Sequence, residues 1–257
     1  MVPAGFATAR WAGFAIPSWA GFARRPARGM VRPRREEGAG MADGRLVIGN
    51  KRYSSWSLRG WLAVHLAGLD VEEVVIPLAG GSTDAIKQAT PAGLVPYLEH
   101  KGARVWESLA IAEYCAEFAP DLWPADRATR AHARSIAGEM HAGFRGLRMA
   151  MPMNIGRSFP GQRRTPEALE DIARIEAIWA QAIATHGGPF LFGARFGLAD
   201  AMYAPVVTRF LTWGPELTAT SRAYVAAVRA HPLMERWHTE AAAEPASWLL
   251  DKYENPA

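Results

Sequence analysis

The chain has 257 residues, 49% of them hydrophobic and 21% charged, which suits a soluble globular protein of one large or two small domains. Its single cysteine, Cys115, excludes an intrachain disulfide, a CxxC redox pair and a cysteine-built zinc site, and no apolar run approaches the ~20 residues that span a bilayer. The net charge of +4 sits in residues 1–40, where seven arginines face only Glu36 and Glu37; the rest of the chain nets about −1, which argues against nucleic acid as a partner.

The first forty residues repeat AGFA at 4–7, 12–15 and 20–23, a period too short for a structural repeat. The segment reads as a disordered extension, with Met41 as a possible natural start, and residues 1–44 are set apart from the fold. Leu46-Val47-Ile48-Gly49 is a short buried strand, and Leu58, Trp61, Leu62, His65, Leu66 and Leu69 follow at helical spacing. Val71 to Leu78 is a second strand, and the stretch Gly80-Gly81-Ser82-Thr83 punctuates the chain and can cap a short helix through Gln88. Val95 to Glu99 and Ala103 to Trp106 form a hairpin around His100-Lys101-Gly102, and Ser108 opens a helix through Phe118. After Pro120 and Pro124 the pattern is helical throughout, with Ile172, Ile175, Trp179 and Ala182 on one stripe. The order strand, helix, strand, helix, strand, strand, helix at 45–122, then helices over 126–250, predicts two domains.

Three segments carry a resemblance: YSSWSLRGWL, then TPAGLVPYL with VWESLAIAEY, then PFLFGARFGLADAMYAP. Their order and spacing resemble those of cytosolic glutathione transferases, and the serine pair before Arg59 is similar to the zeta-class and related bacterial motif. The resemblance implies an α/β thioredoxin-like N-terminal domain plus an all-α C-terminal helical domain. It also implies glutathione as co-substrate, a small and largely apolar electrophile as partner, a cytoplasmic homodimer acting in detoxification, and no metal. The cysteine of zeta-class relatives is Trp56 here.

By that resemblance Ser54 is the catalytic residue, donating to the thiolate; Tyr53 and Ser55 are rival hydroxyls, and either serine could instead only cap the helix. A free thiol with pKa near 8.5 is about 3% ionised at pH 7, so a donor near the sulfur and a helix N-terminus both raise the nucleophile's concentration. Val95-Pro96 matches the family's cis peptide, with the Val95 N–H and C=O pairing to the glutathione backbone. Glu107 and Ser108 match the residues that receive the γ-glutamyl end. Asp200 matches the acid of the family's capping box, but Gly197 stands at the N-cap, so half of the box survives. Asp200 is read as structural and Cys115 as a buried inert thiol.

The segment Met140, His141, Phe144, Leu147, Arg148, Met151 reads as one helix walling the electrophile pocket, with ordinary inter-helix core as the equal alternative for Phe144 and Leu147 and Trp56 as a further wall or as core. Arg148 on that face is expected to touch an anionic group of the acceptor, its alternatives being a salt bridge to Glu139 or exposure to solvent. Two other activities remain open: a glutathione-dependent isomerase of the maleylacetoacetate type, and a non-catalytic ligand-binding module of the same fold.

Overall fold

The structure, a computed structural model, describes residues 42–255. The expected N-terminal extension lies outside the described residues, except that the first strand, β1 (Gly44–Gly49), begins inside the span 1–44. It is followed by α1 (Ser55–Leu66), β2 (Glu72–Ile76), α2 (Asp84–Ala89), β3 (Tyr97–His100), β4 (Ala103–Trp106) and α3 (Ser108–Phe118). The sheet order is β2-β1-β3-β4, with β1 parallel to β2 and antiparallel to β3, and β3 antiparallel to β4. A parallel β1–β2 pair needs a crossover, and α1 supplies it. Helices α1 and α3 pack together, while Val47, Val74, Ile76 and Tyr97 meet Ile86 of α2 in a separate cluster. This is the thioredoxin-like layering that the sequence order implies.

The strands are shorter than their apolar runs suggest: the second stops at Ile76, and the third starts only after Pro96. Residue Pro96 belongs to a cis Val95-Pro96 peptide. The turn packs onto α1, where a Cβ added to Gly60 would lie 2.8 Å from Pro96 Cγ, so only glycine allows this approach.

Seven helices follow: α4 (Arg127–Ala142), α5 (Arg145–Ala150), α6 (Pro166–His186), α7 (Leu198–Trp213), α8 (Ala219–Arg229), α9 (Pro232–Ala242) and α10 (Asp251–Glu254). Helix α7 is buried along nearly its whole length, against α1, α4 and α8. One continuous apolar core joins both units, from Leu46 and Trp61 through Trp179 and Tyr203 to Trp237. Polar ties reinforce the joint. The Lys51 ammonium pairs with Glu73 of β2 and Glu240 of α9, and Glu244 accepts from the Lys51 N–H at 2.5 Å.

Two expectations need correction. The single helix expected from Met140 to Met151 is two helices, because Gly143 ends α4 and Phe144 takes a left-handed conformation (φ 59°). A phenylalanine gives no sequence signal for such a break. Met140, Leu147 and Met151 are fully buried and Phe144 nearly so, so they belong to the core instead of a pocket wall. Beyond residue 250, where the helical unit was expected to end, α10 folds back onto the β1–α1 loop: Glu254 accepts from the Tyr53 hydroxyl at 2.6 Å. No described helix is long and apolar enough to cross a membrane.

Candidate active site

At the end of β1 the chain turns through Asn50–Tyr53 into α1. The Ser54 N–H donates to Asn50 O (2.9 Å), and the Asn50 side chain in turn accepts from Leu78 N–H (2.7 Å), which ties the turn to the end of β2. Ser54 is the N-cap of α1, its Oγ accepting from Ser57 N–H at 3.3 Å. The same oxygen donates to Ser57 Oγ (2.7 Å), which also accepts from Gly49 N–H (2.9 Å). The three groups form a short hydroxyl chain at the start of a twelve-residue helix, where unpaired N–H groups and the helix dipole favour negative charge.

The rival hydroxyls are engaged elsewhere. Tyr53 donates to Glu254, and burial followed by that hydrogen bond pushes its phenol well above the usual range. Ser55 Oγ accepts from Arg209 Nη2 at 3.2 Å.

Ser54 opens on a cavity of about 370 Å³ whose wall also includes Ser55, Trp56, Leu78, Val95, Met153, Arg148, Arg209 and Tyr253. Thus Ser54, Trp56, Val95 and Arg148 of the expected site residues share one cavity. Pro96, Glu107, Ser108, His141 and Phe144 are not in its wall. His141 links the cavity to Glu107: its ring meets Trp56 edge-on at 5.2 Å, and its Nε2 lies 3.7 Å from Glu107 Oε2. Burial, then the nearby Arg59 charge, lowers the His141 pKa.

Glu107 adopts φ 67°, ψ 126° before α3 and makes no side-chain cap. A positive φ at a non-glycine residue stores strain, and such strain concentrates at binding sites. The first N–H groups of α3 are therefore left without a side-chain acceptor. The Ser108 hydroxyl is fully buried and without a partner among the described residues. A carboxylate at the α3 N-terminus would satisfy these donors, so the residues present fit the γ-glutamyl end of glutathione.

Trp56 is 36% exposed and stacks with two guanidiniums, Arg59 at 4.8 Å and Arg148 at 4.9 Å from its ring centre. Arg148 neither pairs with Glu139, which binds Arg174, nor lies free in solvent. Its guanidinium donates to the carbonyls of Met140, His141 (3.3 Å) and Gly143 (2.9 Å) at the end of α4. The helix break at Phe144 creates that position. Sequence reasoning missed Arg209 and Tyr253; the available signal for Arg209 is a lone charge inside the apolar run of α7.

Cys115 is buried, and burial pushes its thiol up to about 12, as expected of an inert core thiol. Among the described residues no three His, Cys, Asp or Glu side chains cluster as a metal site.

Comparison with known proteins fits this geometry. The glutathione S-transferase N-terminal domain model matches residues 53–117, and the corresponding C-terminal domain model matches residues 162–240. A probable maleylacetoacetate isomerase of Caenorhabditis elegans is 29% identical over 160 residues, covering 60% of this chain and 72% of that protein. A zeta-class glutathione S-transferase of Euphorbia esula is 29% identical over 183 residues, covering 66% and 81%. The glutathione-bound theta-class enzyme of Xanthomonas axonopodis pv. citri superposes with a TM-score of 0.57 at 23% identity, covering 76% of this chain and 97% of that one. With both domain models matched over more than half of its length, and a thioredoxin-like sheet joined to a helical bundle, the chain belongs to the glutathione S-transferase family.

Proposed function

We propose that this protein is a glutathione transferase in which Ser54 holds the glutathione sulfur as thiolate for attack on a small electrophile. The observation that carries the reading is the hydroxyl chain at the N-terminus of α1, open to a cavity of about 370 Å³. Rotating the two hydroxyl hydrogens lets Ser57 donate to Ser54 and releases the Ser54 hydrogen toward the cavity. Gly49 N–H keeps Ser57 Oγ in place while this happens. The Ser54 hydroxyl and the helix dipole then both favour the charged sulfur. Val95 offers backbone groups at the cavity edge, and Glu107 with Ser108 receives the γ-glutamyl end at the start of α3. Glu107 accepts from the ammonium.

Ser54→Ala tests this assignment. The variant should raise the thiol pKa of bound glutathione by about 2 units, a differential stabilisation of about 2.7 kcal/mol, and lower turnover accordingly. Binding of glutathione should change far less, because its contacts lie at Val95 and α3. Ultraviolet difference absorption of the bound thiol reads the pKa. An unchanged value would reduce Ser54 to a helix cap.

An isomerase activity on a maleylacetoacetate-type substrate is the second reading, favoured by the arginine-lined cavity wall and by the Caenorhabditis elegans relative. The family reading also carries a cytoplasmic homodimer active in detoxification. Trp106 on the edge strand β4 and Phe118 at the end of α3, 47% and 46% exposed, are apolar surface that a second copy would cover. Light scattering tests the dimer, and Trp106→Glu should dissociate it.

A further inference from the structure

The turn that delivers Ser54 is held from outside the sheet. Within Asn50–Tyr53, the Tyr53 N–H donates to Asn50 O (3.3 Å) and closes the turn. That bond leaves the backbone groups of the two central residues, Lys51 and Arg52, without a partner inside the turn. Buried amides and carbonyls need partners, and Lys51 is only 4% exposed. All four groups find theirs in the helical unit. The Lys51 and Arg52 N–H groups donate to the two oxygens of Glu244, at 2.5 and 3.3 Å. Lys51 O accepts from Trp237 Nε1 (3.0 Å), and Arg52 O accepts from Ile155 N–H (3.0 Å).

Glu244 differs from the other partners because one side chain spans two consecutive amides. It lies just past the end of α9, and its carboxylate forms no ion pair with the cations of the turn. The Lys51 ammonium is taken by Glu73 and Glu240, and the Arg52 guanidinium by the carbonyls of Ile155 and Ala241. Burial raises the Glu244 pKa against the pull of the two amides. A carboxylate kept in the interior for two main-chain donors serves the shape of that chain more than its charge.

Ser54 follows this turn directly. Its N–H donates to Asn50 O (2.9 Å), the same oxygen that closes the turn, so a rotation at Lys51–Arg52 shifts the helix cap. The 2.7 Å contact of Ser54 Oγ with Ser57 Oγ, and its opening on the cavity, depend on that placement. A shift of about 1 Å in a catalytic group can cost on the order of a hundredfold in rate.

We propose that Glu244 is a positioning residue for the sulfur chemistry: by holding the Lys51 and Arg52 amides, it fixes the turn that aims the Ser54 hydroxyl. This rests on the transferase reading above and extends it to a residue that touches neither glutathione nor the acceptor. The sign of the effect separates positioning from direct electrostatics. Removing a carboxylate that acted on the sulfur through its charge would lower the thiol pKa. Removing one that aims the hydroxyl raises it.

The test follows the thiol pKa of bound glutathione and steady-state turnover in Glu244→Ala, Glu244→Gln, Ser54→Ala and the double variant Ser54→Ala with Glu244→Ala. In Glu244→Ala the thiol pKa should rise by at least about 0.5, which reduces the thiolate about threefold at any pH below the thiol pKa. Turnover there should fall about threefold or more, while KM for glutathione stays within about twofold, because Val95 and α3 are untouched. Glutamine keeps one acceptor oxygen, so Glu244→Gln should show about half of the pKa rise. In the Ser54→Ala background the Glu244 substitution should add almost nothing, since its effect passes through the hydroxyl. A lowered pKa, or an equal rise without Ser54, would overturn the proposal. So would a fall in melting temperature with pKa and turnover unmoved, which would make Glu244 only a fastener between the two units. Should Glu244→Ala not fold, the glutamine variant decides, and wild-type pKa and turnover there would overturn it equally. An unchanged pKa in Ser54→Ala alone would instead sink the assignment of Ser54 to the sulfur, and this role with it.

Discussion

Helix α7 buries one charge near each end, and the two are treated in opposite ways. At the N-terminal end, Asp200 is 1% exposed and takes up Gly197 N–H (2.9 Å), Leu191 N–H (3.0 Å) and the Tyr224 hydroxyl (3.0 Å). Burial still pushes its carboxyl up to about 6, against the pull of those donors. Nine residues on, Arg209 is almost as buried but has two long contacts and an unpartnered Nε. Burial, followed by repulsion from Arg148, lowers its pKa to about 9. A buried charge saturated by its own fold is a structural fastener, whereas one left short of partners at a cavity wall is prepared for a ligand.

The comparison can be broken from either end. Asp200→Ala would strand two backbone donors and a tyrosine hydroxyl in the core, and should cost about 3–5 kcal/mol in urea unfolding. A loss below about 1 kcal/mol would mean that water or local rearrangement replaces the carboxylate.

Glu73 sharpens the saturated side. Burial pushes its pKa up, but His65, Lys51 and Trp61 outweigh that and hold it at about 2, below the ordinary 4.5. Its folded pKa is depressed, so its contribution is complete above about pH 4.5 and is lost as pH falls toward 2. The wild type should lose up to about 3 kcal/mol more than Glu73→Gln between pH 5 and pH 2 in acid titrations of unfolding. Parallel profiles would remove Glu73 from the saturated class.

The unsaturated side predicts the reverse sign. Arg209→Met replaces a poorly paired buried charge with an apolar chain of similar length, and should raise stability by about 1 kcal/mol or more. A calorimetric melt would show it, and a clear loss would mean that the Ser55 and Pro205 contacts already suffice. The smallest effect concerns the cap of the same helix. Gly197→Ser would complete the capping box in principle, but the added Cβ would lie 2.9 Å from Leu122 O. The substitution should therefore cost about 1 kcal/mol instead of gaining a few tenths.

That glycine shows where sequence reading ends. From the sequence, Gly197 is a family cap with half of its box missing; in the structure the position is glycine because a carbonyl of another segment occupies the space. Local signals served well where the cause is local. Ser108–Phe118 and the Lys101-Gly102 turn stand where the residues indicate, the turn using φ 47° and 84°. The cavity side contributed by Ser54, Trp56 and Val95 was likewise legible, because those residues lie in contiguous motifs. Arg148 was placed beside the cavity for a reason only half correct, since the left-handed Phe144 that aims it has no sequence signature. The place of Arg209 and Tyr253 beside Ser54 was not legible, because it depends on how α7 and α10 pack against α1; the sequence marks Arg209 only as a charge in an apolar run.

The lone thiol has a consequence for chemistry done with this protein. Reagents that seek soft nucleophiles are the natural company of such an enzyme, and Cys115 is both shielded and, with its thiol pushed up to about 12, almost wholly protonated at neutral pH. The one thiol of the folded protein is thereby protected from alkylation by the compounds it would process. Iodoacetamide should leave Cys115 unmodified in the native chain and label it once per molecule when the fold opens, making this residue a built-in counter of unfolding events.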